Sequence, residues 1–268
     1  MFNIFKMHMY RVSRATSTYV LLGVLAASIF MSLGMLFIVY DNPLTSAISL
    51  SVSGESMDLF SLTPPTVHQF FIQTSNTYLI LVSIFSVIFA NCDFSKGFAK
   101  NTYSMFESRR PLVFAKWLSL VTCVSICYIV YSFICLGLSA VCIKAFVSTK
   151  WTEYIVGFFV VYLCLISLVT MVFWITTLFK SPSGGMVIGI LISSGTFVLV
   201  ELLISGAVAR TFHTDFLLAN YFLDYAFMSY SAGMGTVATV RTIFVALAYM
   251  ALALTMTVFL ADRKDVHV

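Results

Sequence analysis

Charge is what this sequence has least of. Only 10% of its 268 residues are Asp, Glu, Lys or Arg, against 60% hydrophobic, and the mean hydropathy is +0.99. A soluble domain of this length could not cover itself with polar surface from such a composition, so the chain reads as an integral membrane protein. Other absences narrow its chemistry. There is no GxxxxGK[ST] loop to cradle nucleotide phosphates, and Gly184-Gly185 is too short to replace one. No HExxH occurs, and His8, His68, His213 and His267 lie far apart and outside the apolar runs, which argues against a metal or haem site. No Ser, His and Asp set falls on the apolar runs, nor a pair of carboxylates of the kind an intramembrane hydrolase uses. Nothing in the charge pattern suggests nucleic-acid binding. The six cysteines, Cys92, Cys123, Cys127, Cys135, Cys142 and Cys164, sit in apolar runs or at an inner edge, where they read as small packing residues and not as disulfides or metal ligands.

What is there is a series of long apolar runs separated by short polar ones. Residues 1–18 carry Lys6, Arg11 and Arg14 with no acid, and Phe2, Phe5, Met9 and Val12 form a stripe that suits a helix lying in the inner interface; a disordered basic arm is the other reading. Uncharged residues 19–40 can cross a hydrocarbon core of about 30 Å at 1.5 Å per residue, and the run is too long for a signal-peptide core. Residues 41–69, with three acids, Pro43, Pro64 and Pro65 but no Lys or Arg, read as an outer loop. Further spans are expected at 70–91, 117–143 (with Trp117 as interfacial anchor), 154–179, 186–206 and 241–260. An inner turn is expected at 180–185, where Pro182 and two glycines interrupt the helix.

The charged stretch from Asp93 to Lys116 collects Lys96, Lys100, Arg109, Arg110 and Lys116 against Asp93 and Glu107 alone. Together with Lys6, Arg11, Arg14, Lys180, Arg263 and Lys264 it outweighs Lys144, Lys150, Arg210 and Arg241, which puts both termini on the cytoplasmic side. Asp93 is placed to cap a short helix, and Pro111 to open the next one. Phe94, Phe98, Asn101 and Met105 repeat at helical spacing on one face, with Lys96, Lys100, Tyr103 and Glu107 on the other. Periodicity alone leaves two readings: a solvated basic loop that fixes topology, or a docking element for a cytoplasmic partner.

The series Asp93, Ser95, Gly97, Lys100, Asn101, Ser108, Arg109 and Lys116 resembles the acidic-x-x-x-Gly-x-x-Lys-Asn, Ser-Arg, Lys pattern after the second membrane helix of ABC-2 type transporter permeases. The closest similarity is to the short six-helix subunits of peptide export and of lantibiotic or bacteriocin self-protection. Phe98 and Ala99 depart from the Thr-Ile expected there. The resemblance implies an all-α, six-helix permease of the type V exporter-like fold. It also implies a coupling region over 92–116 and outer half-helices over 207–239, within one transmembrane domain, 19–268. Asp93, Phe94, Gly97, Phe98, Lys100, Asn101 and Arg109 would then be the ATPase-coupling residues, seated in a groove of a separate ATPase subunit. ATP and magnesium would be bound by that partner, and no cofactor by this chain. The substrate would be hydrophobic or amphipathic, such as an antimicrobial peptide, moved across a bacterial cell membrane. A polytopic adaptor or receptor that docks a cytoplasmic partner through the same basic loop is the alternative.

Two further expectations concern the fifth span. Gly185, Gly189 and Ser193 recur every four residues, a spacing that lets helices approach closely. In the family this chain resembles, the first and fifth helices meet across a dimer of permeases, and Gly23 with Ala27 offers a matching patch; packing inside one subunit is the equal alternative. Glu201 is the one charge inside an apolar run. It needs a partner in hydrocarbon, either an ion pair with Arg241 or, if protonated, a hydrogen bond to a backbone carbonyl or a hydroxyl such as Ser205.

Overall fold

The computed structural model describes residues 2–41, 67–95, 110–142, 151–179, 181–212, 218–228, 230 and 235–263. These residues are helical, with no strand among them. Helix α1 (Phe2–Arg14) meets α2 (Thr16–Asp41) at a bend of 58°. Then come α3 (Val67–Ser95), α4 (Arg110–Cys142) and α5 (Trp151–Phe179). Helix α6 (Pro182–Ser193) breaks into α7 (Val198–Phe212) at 63°. A 3-10 turn (Leu218–Tyr221), the short α8 (Leu223–Met228) and α9 (Thr236–Arg263) complete the described elements. Four helices are long and apolar enough to cross a membrane, and six spans result if each bent pair counts as one.

Helix α5 is the hub, packed by α9, α3, α6 and α4. Of the most apolar windows, 61% of residues are buried in α3 and α5 but only 22% in α9, so the first two are interior and the last is peripheral. Lipid tails are as apolar as leucine, so burial of hydrophobic side chains does not by itself drive helices together there. Close packing and interhelical hydrogen bonds do so instead. Tyr78 Oη donates to the Val124 carbonyl (3.1 Å) and Tyr128 Oη to that of Phe158 (2.9 Å). Ser125 and Tyr162 hydroxyls pair at 2.8 Å, and Lys116 Nζ donates to the Ala90 carbonyl at 2.7 Å. Trp117 also belongs to this set: its indole N–H donates to Thr170 Oγ1 at 3.0 Å, so it ties α4 to α5. Most buried hydroxyls bond back along their own helices, as Thr170 does to Ile166 and Ser86 to Val82, though Ser167 Oγ and Trp174 Nε1 are buried without a partner.

The small residues of the fifth span lie on an internal seam. A Cβ added to Gly185 would come within 2.8 Å of Thr176 Oγ1 and 3.2 Å of Val87, and one added to Gly189 within 3.4 Å of Val172. One turn on, Ser193 shares a hydrogen with Ser83 of α3 at 3.1 Å. Gly185, Gly189 and Ser193 thus take the packing alternative, their face filled by α3 and α5 of the same chain. Gly23 and Ala27 are exposed on α2, with nothing within 4 Å of a Cβ built at Gly23.

Several boundaries differ from expectation. Helix α4 begins seven residues before position 117, with Pro111 in its first turn, where its missing N–H costs nothing. Helix α6 starts at Pro182 behind the N-cap Ser181, so both glycines are helical. On α1 the buried face is Ile4, His8 and Val12, with Ile4 against Leu112 and Ala115 of α4 and the His8 ring edge-on to Phe89 of α3, while Phe5 and Met9 are half-buried. The internal seam sets a test: Gly185→Leu should cost about 1–3 kcal/mol by overpacking, while Gly23→Leu leaves thermal stability in detergent unchanged. Equal melting temperatures for the two variants would contradict the packing described.

Candidate functional site

The break in the fifth span is written by Ser194, Gly195 and Thr196. Gly195 lies at φ +70°, in the left-handed region where a side chain is strained. Its N–H bonds the Ile192 carbonyl (3.2 Å), the Thr196 N–H bonds that of Leu191 (3.3 Å), and the Ser194 N–H reaches Ile190 (2.8 Å). This is the Schellman closure, which satisfies carbonyls that the end of α6 would otherwise leave bare. Met228 of α8 sits against the same glycine, where a Cβ would stand 2.6 Å from the flexible Cε, so it is the backbone of the turn that requires glycine. The chain restarts as α7 at Val198, held by the Val198 N–H on Gly195 O (3.1 Å) and the Glu201 N–H on Phe197 O (2.9 Å).

The new direction decides what Glu201 meets. Helix α7 packs on the 3-10 turn and α8, not along α9. Glu201, 9% exposed, lies near the backbone of Tyr225 and within electrostatic reach of the Asp224 carboxyl, itself 8% exposed. Tyr249 of α9 faces both acids. The expected ion pair with Arg241 does not form. Arg241 lies half-buried near the start of α9, whereas a continuous fifth helix running antiparallel to α9 was the premise of that pairing. The hydroxyl alternative does not form either, since Glu201 Oε2 and Ser205 Oγ are buried and have no partner.

Asp224 is the residue that sequence reasoning missed. It lies in a stretch mixing charge with aromatics, and the only signal for it is an acid flanked by Leu223, Tyr225 and Phe227, too greasy a context for a free loop. On α8, outside the spans, its carboxyl is pushed up to about 7 by burial, with the neighbouring Glu201 adding to the effect. It lines a cavity of about 10 Å³ with Leu79, Cys164, Ser193 and Phe227, of the order of a single water. The site therefore sets two acids beside an interrupted helix, with Asp224 alone of the two lining a small, mostly apolar cavity.

Of the residues expected to couple to an ATPase, Gly97, Phe98, Lys100, Asn101 and Arg109 lie outside the described residues. Asp93 and Phe94 fall in the last turn of α3, which continues through Ser95, so Asp93 ends one helix instead of capping another. In the 207–239 stretch, the described part holds the end of α7, the 3-10 turn, α8 and the first turn of α9. Among the described residues no three His, Cys, Asp or Glu side chains gather as a metal site. No family model matches the chain, and neither does any curated protein.

The raised proton affinity of Asp224 has a defined sign. A carboxyl that holds its proton more tightly in the folded than in the unfolded chain contributes stability in full below its ordinary value of 3.8, and loses it as pH rises toward about 7. The melting temperature of the purified chain should fall across that window, and Asp224→Asn should flatten the slope. A slope unchanged in Asp224→Asn would show that the acid pair does not carry the effect.

Proposed function

We propose that the chain is the membrane-spanning permease subunit of an ATP-binding cassette exporter. Two permease copies, or this one and a homologous permease, would form with separate ATPase subunits a pathway for a hydrophobic or amphipathic substrate, a peptide being the leading class, in a bacterial plasma membrane with both termini cytoplasmic. The observation that carries the reading is the charged segment between α3 and α4, whose Asp93, Gly97, Lys100, Asn101 and Arg109 follow the coupling pattern of ABC-2 permeases. The helices on either side of it, α3 and α4, are both long and apolar enough to cross a membrane.

The fold adds physical support. A chain that interrupts its own fifth span at 63° exposes irregular backbone at membrane depth, and that is tolerated where the backbone is buried in protein or lines a water-filled space. A pathway through the membrane needs such places, whereas a passive anchor does not. The chain has no loop of the P-loop type for nucleotide phosphates, so the energy source belongs to a partner.

The test is isolation of the tagged protein from its native membrane in mild detergent. An ATPase should accompany it, with substrate-dependent turnover lost in Phe98→Ala and Lys100→Glu while both variants still insert. Recovery of the chain with a non-ATPase partner would favour the adaptor reading, and normal transport by both variants would remove the coupling role from this segment.

A further inference from the structure

Helix α7 is attached to the rest of the chain by a polar seam. Among its described side chains only Glu201 and Ser205 are buried, one turn apart on the face that packs on the 3-10 turn and α8. Its leucines point outward, Leu199 and Leu203 being 71% and 74% exposed. Such an outer face suits lipid, so hydrophobic burial does not hold this helix in place. The seam that does hold it sets one acid toward another, since Asp224 of α8 feels the charge of Glu201.

The seam is incompletely paired. Glu201 Oε2 and Ser205 Oγ are both buried and without a hydrogen-bond partner. Of the titratable and charged groups on the surrounding elements, Tyr249 of α9 faces both acids, Tyr225 follows Asp224 on α8, and Cys164 of α5 lines the small cavity with Asp224. Arg210 is exposed at the end of α7, Tyr221 is exposed on the 3-10 turn, and Arg241 is half-buried near the start of α9. His213 and Asp215, between α7 and the 3-10 turn, lie outside the described residues. Two carboxylates cannot both stay charged cheaply out of water, so the closed seam calls for a positive ligand. A metal cation needs room and several oxygen ligands. The two orphan atoms are buried, and the cavity of about 10 Å³ that touches Asp224 is lined by neither Glu201 nor Ser205. A proton needs no room. Gly195 and Met228 line that same cavity, so the hinge and the acid share it, and movement of α7 about the turn would admit water to Asp224.

We propose that α7 is latched to α8 by a proton: with one proton held by the Glu201 and Asp224 pair the polar seam stays closed, and with both carboxyls charged their repulsion and lost hydration release α7 about the turn at Gly195. The seating of this half-helix thereby follows the pH of the water that reaches the cavity.

The sign follows from Asp224, whose carboxyl is pushed up to about 7 while α7 is docked and returns toward 3.8 once water reaches it. Docking is complete at low pH, weakens by up to about 10-fold per pH unit as pH rises toward about 7, and levels off above. Hydrogen exchange of the full chain in detergent, followed peptide by peptide with mass spectrometry, tests the latch. Divided by the intrinsic amide rate, exchange in α7 should rise roughly 50-fold between about pH 5 and pH 7, while that in α5 stays constant. Asp224→Asn should cut the rise to roughly a few-fold, and the Glu201→Gln, Asp224→Asn pair should hold α7 at the slow rate throughout. At pH ~7 the pair is then better protected than the natural chain, which a loss of folding cannot imitate. His213→Gln and Asp215→Asn should keep the full rise. Flat exchange in α7 of the natural chain, a full rise in Asp224→Asn, or fast exchange in the pair would overturn the proposal. So would loss of the rise in His213→Gln or Asp215→Asn. Protection regained at pH ~7 when sodium chloride replaces choline chloride would assign the seam to a metal cation and overturn the proton as its ligand.

Discussion

The closure of α6 at Ser194, Gly195 and Thr196 is the constraint on which the rest of this structure depends. In hydrocarbon a helix cannot simply stop, because each bare carbonyl costs several kcal/mol where no water can reach it. The three N–H bonds to Ile190, Leu191 and Ile192 remove that cost inside the turn itself. The chain is thereby free to leave at 63° and to set α7 on the 3-10 turn and α8. That placement brings Glu201 near Asp224 of α8.

A sharp turn needs a rigid support, and the packing before it supplies one. Gly185 and Gly189 bring α6 against α3 and α5 with Val87, Val172 and Thr176 in contact range, and the Ser83–Ser193 bond fixes the last turn before the break. The same interior carries the hydrogen bonds of Tyr78, Tyr128, Trp117 and Lys116 between α3, α4 and α5. Intramembrane hydrogen bonds average only about 0.6 kcal/mol each, so their role is to select one helix register among many similar apolar ones. Rigidity is thus concentrated in α3, α5 and α6.

The helical, multi-pass architecture was legible because long apolar runs and their charged boundaries are strong signals, and α2, α3, α5 and α9 fall within a few residues of the expected spans. The broken fifth span was not legible. Residues 186–206 are continuously apolar apart from Glu201, glycine is common inside membrane helices, and no proline marks the stop, so Gly195 looked like one more small residue. A straight span sets Glu201 toward Arg241 and gives Asp224 no role, whereas the break turns Glu201 toward α8. The Trp117 bond was not legible either, because an indole at the end of an apolar run reads alike whether it turns to lipid headgroups or to Thr170. The small-residue spacing was seen correctly as a close-approach surface, but sequence could not tell a neighbouring helix from a second copy. For Gly185, Gly189 and Ser193 the neighbour is internal.

The direction of α7 is therefore the claim on which the reading of the site rests, and paired cysteines measure it most directly. In native membranes, Glu201→Cys with Asp224→Cys should form a disulfide on mild oxidation, identified as a cross-linked peptide by mass spectrometry. Glu201→Cys with Arg241→Cys should form none. A cross-link from position 201 to 241, with none to 224, would restore a continuous fifth span and contradict the account.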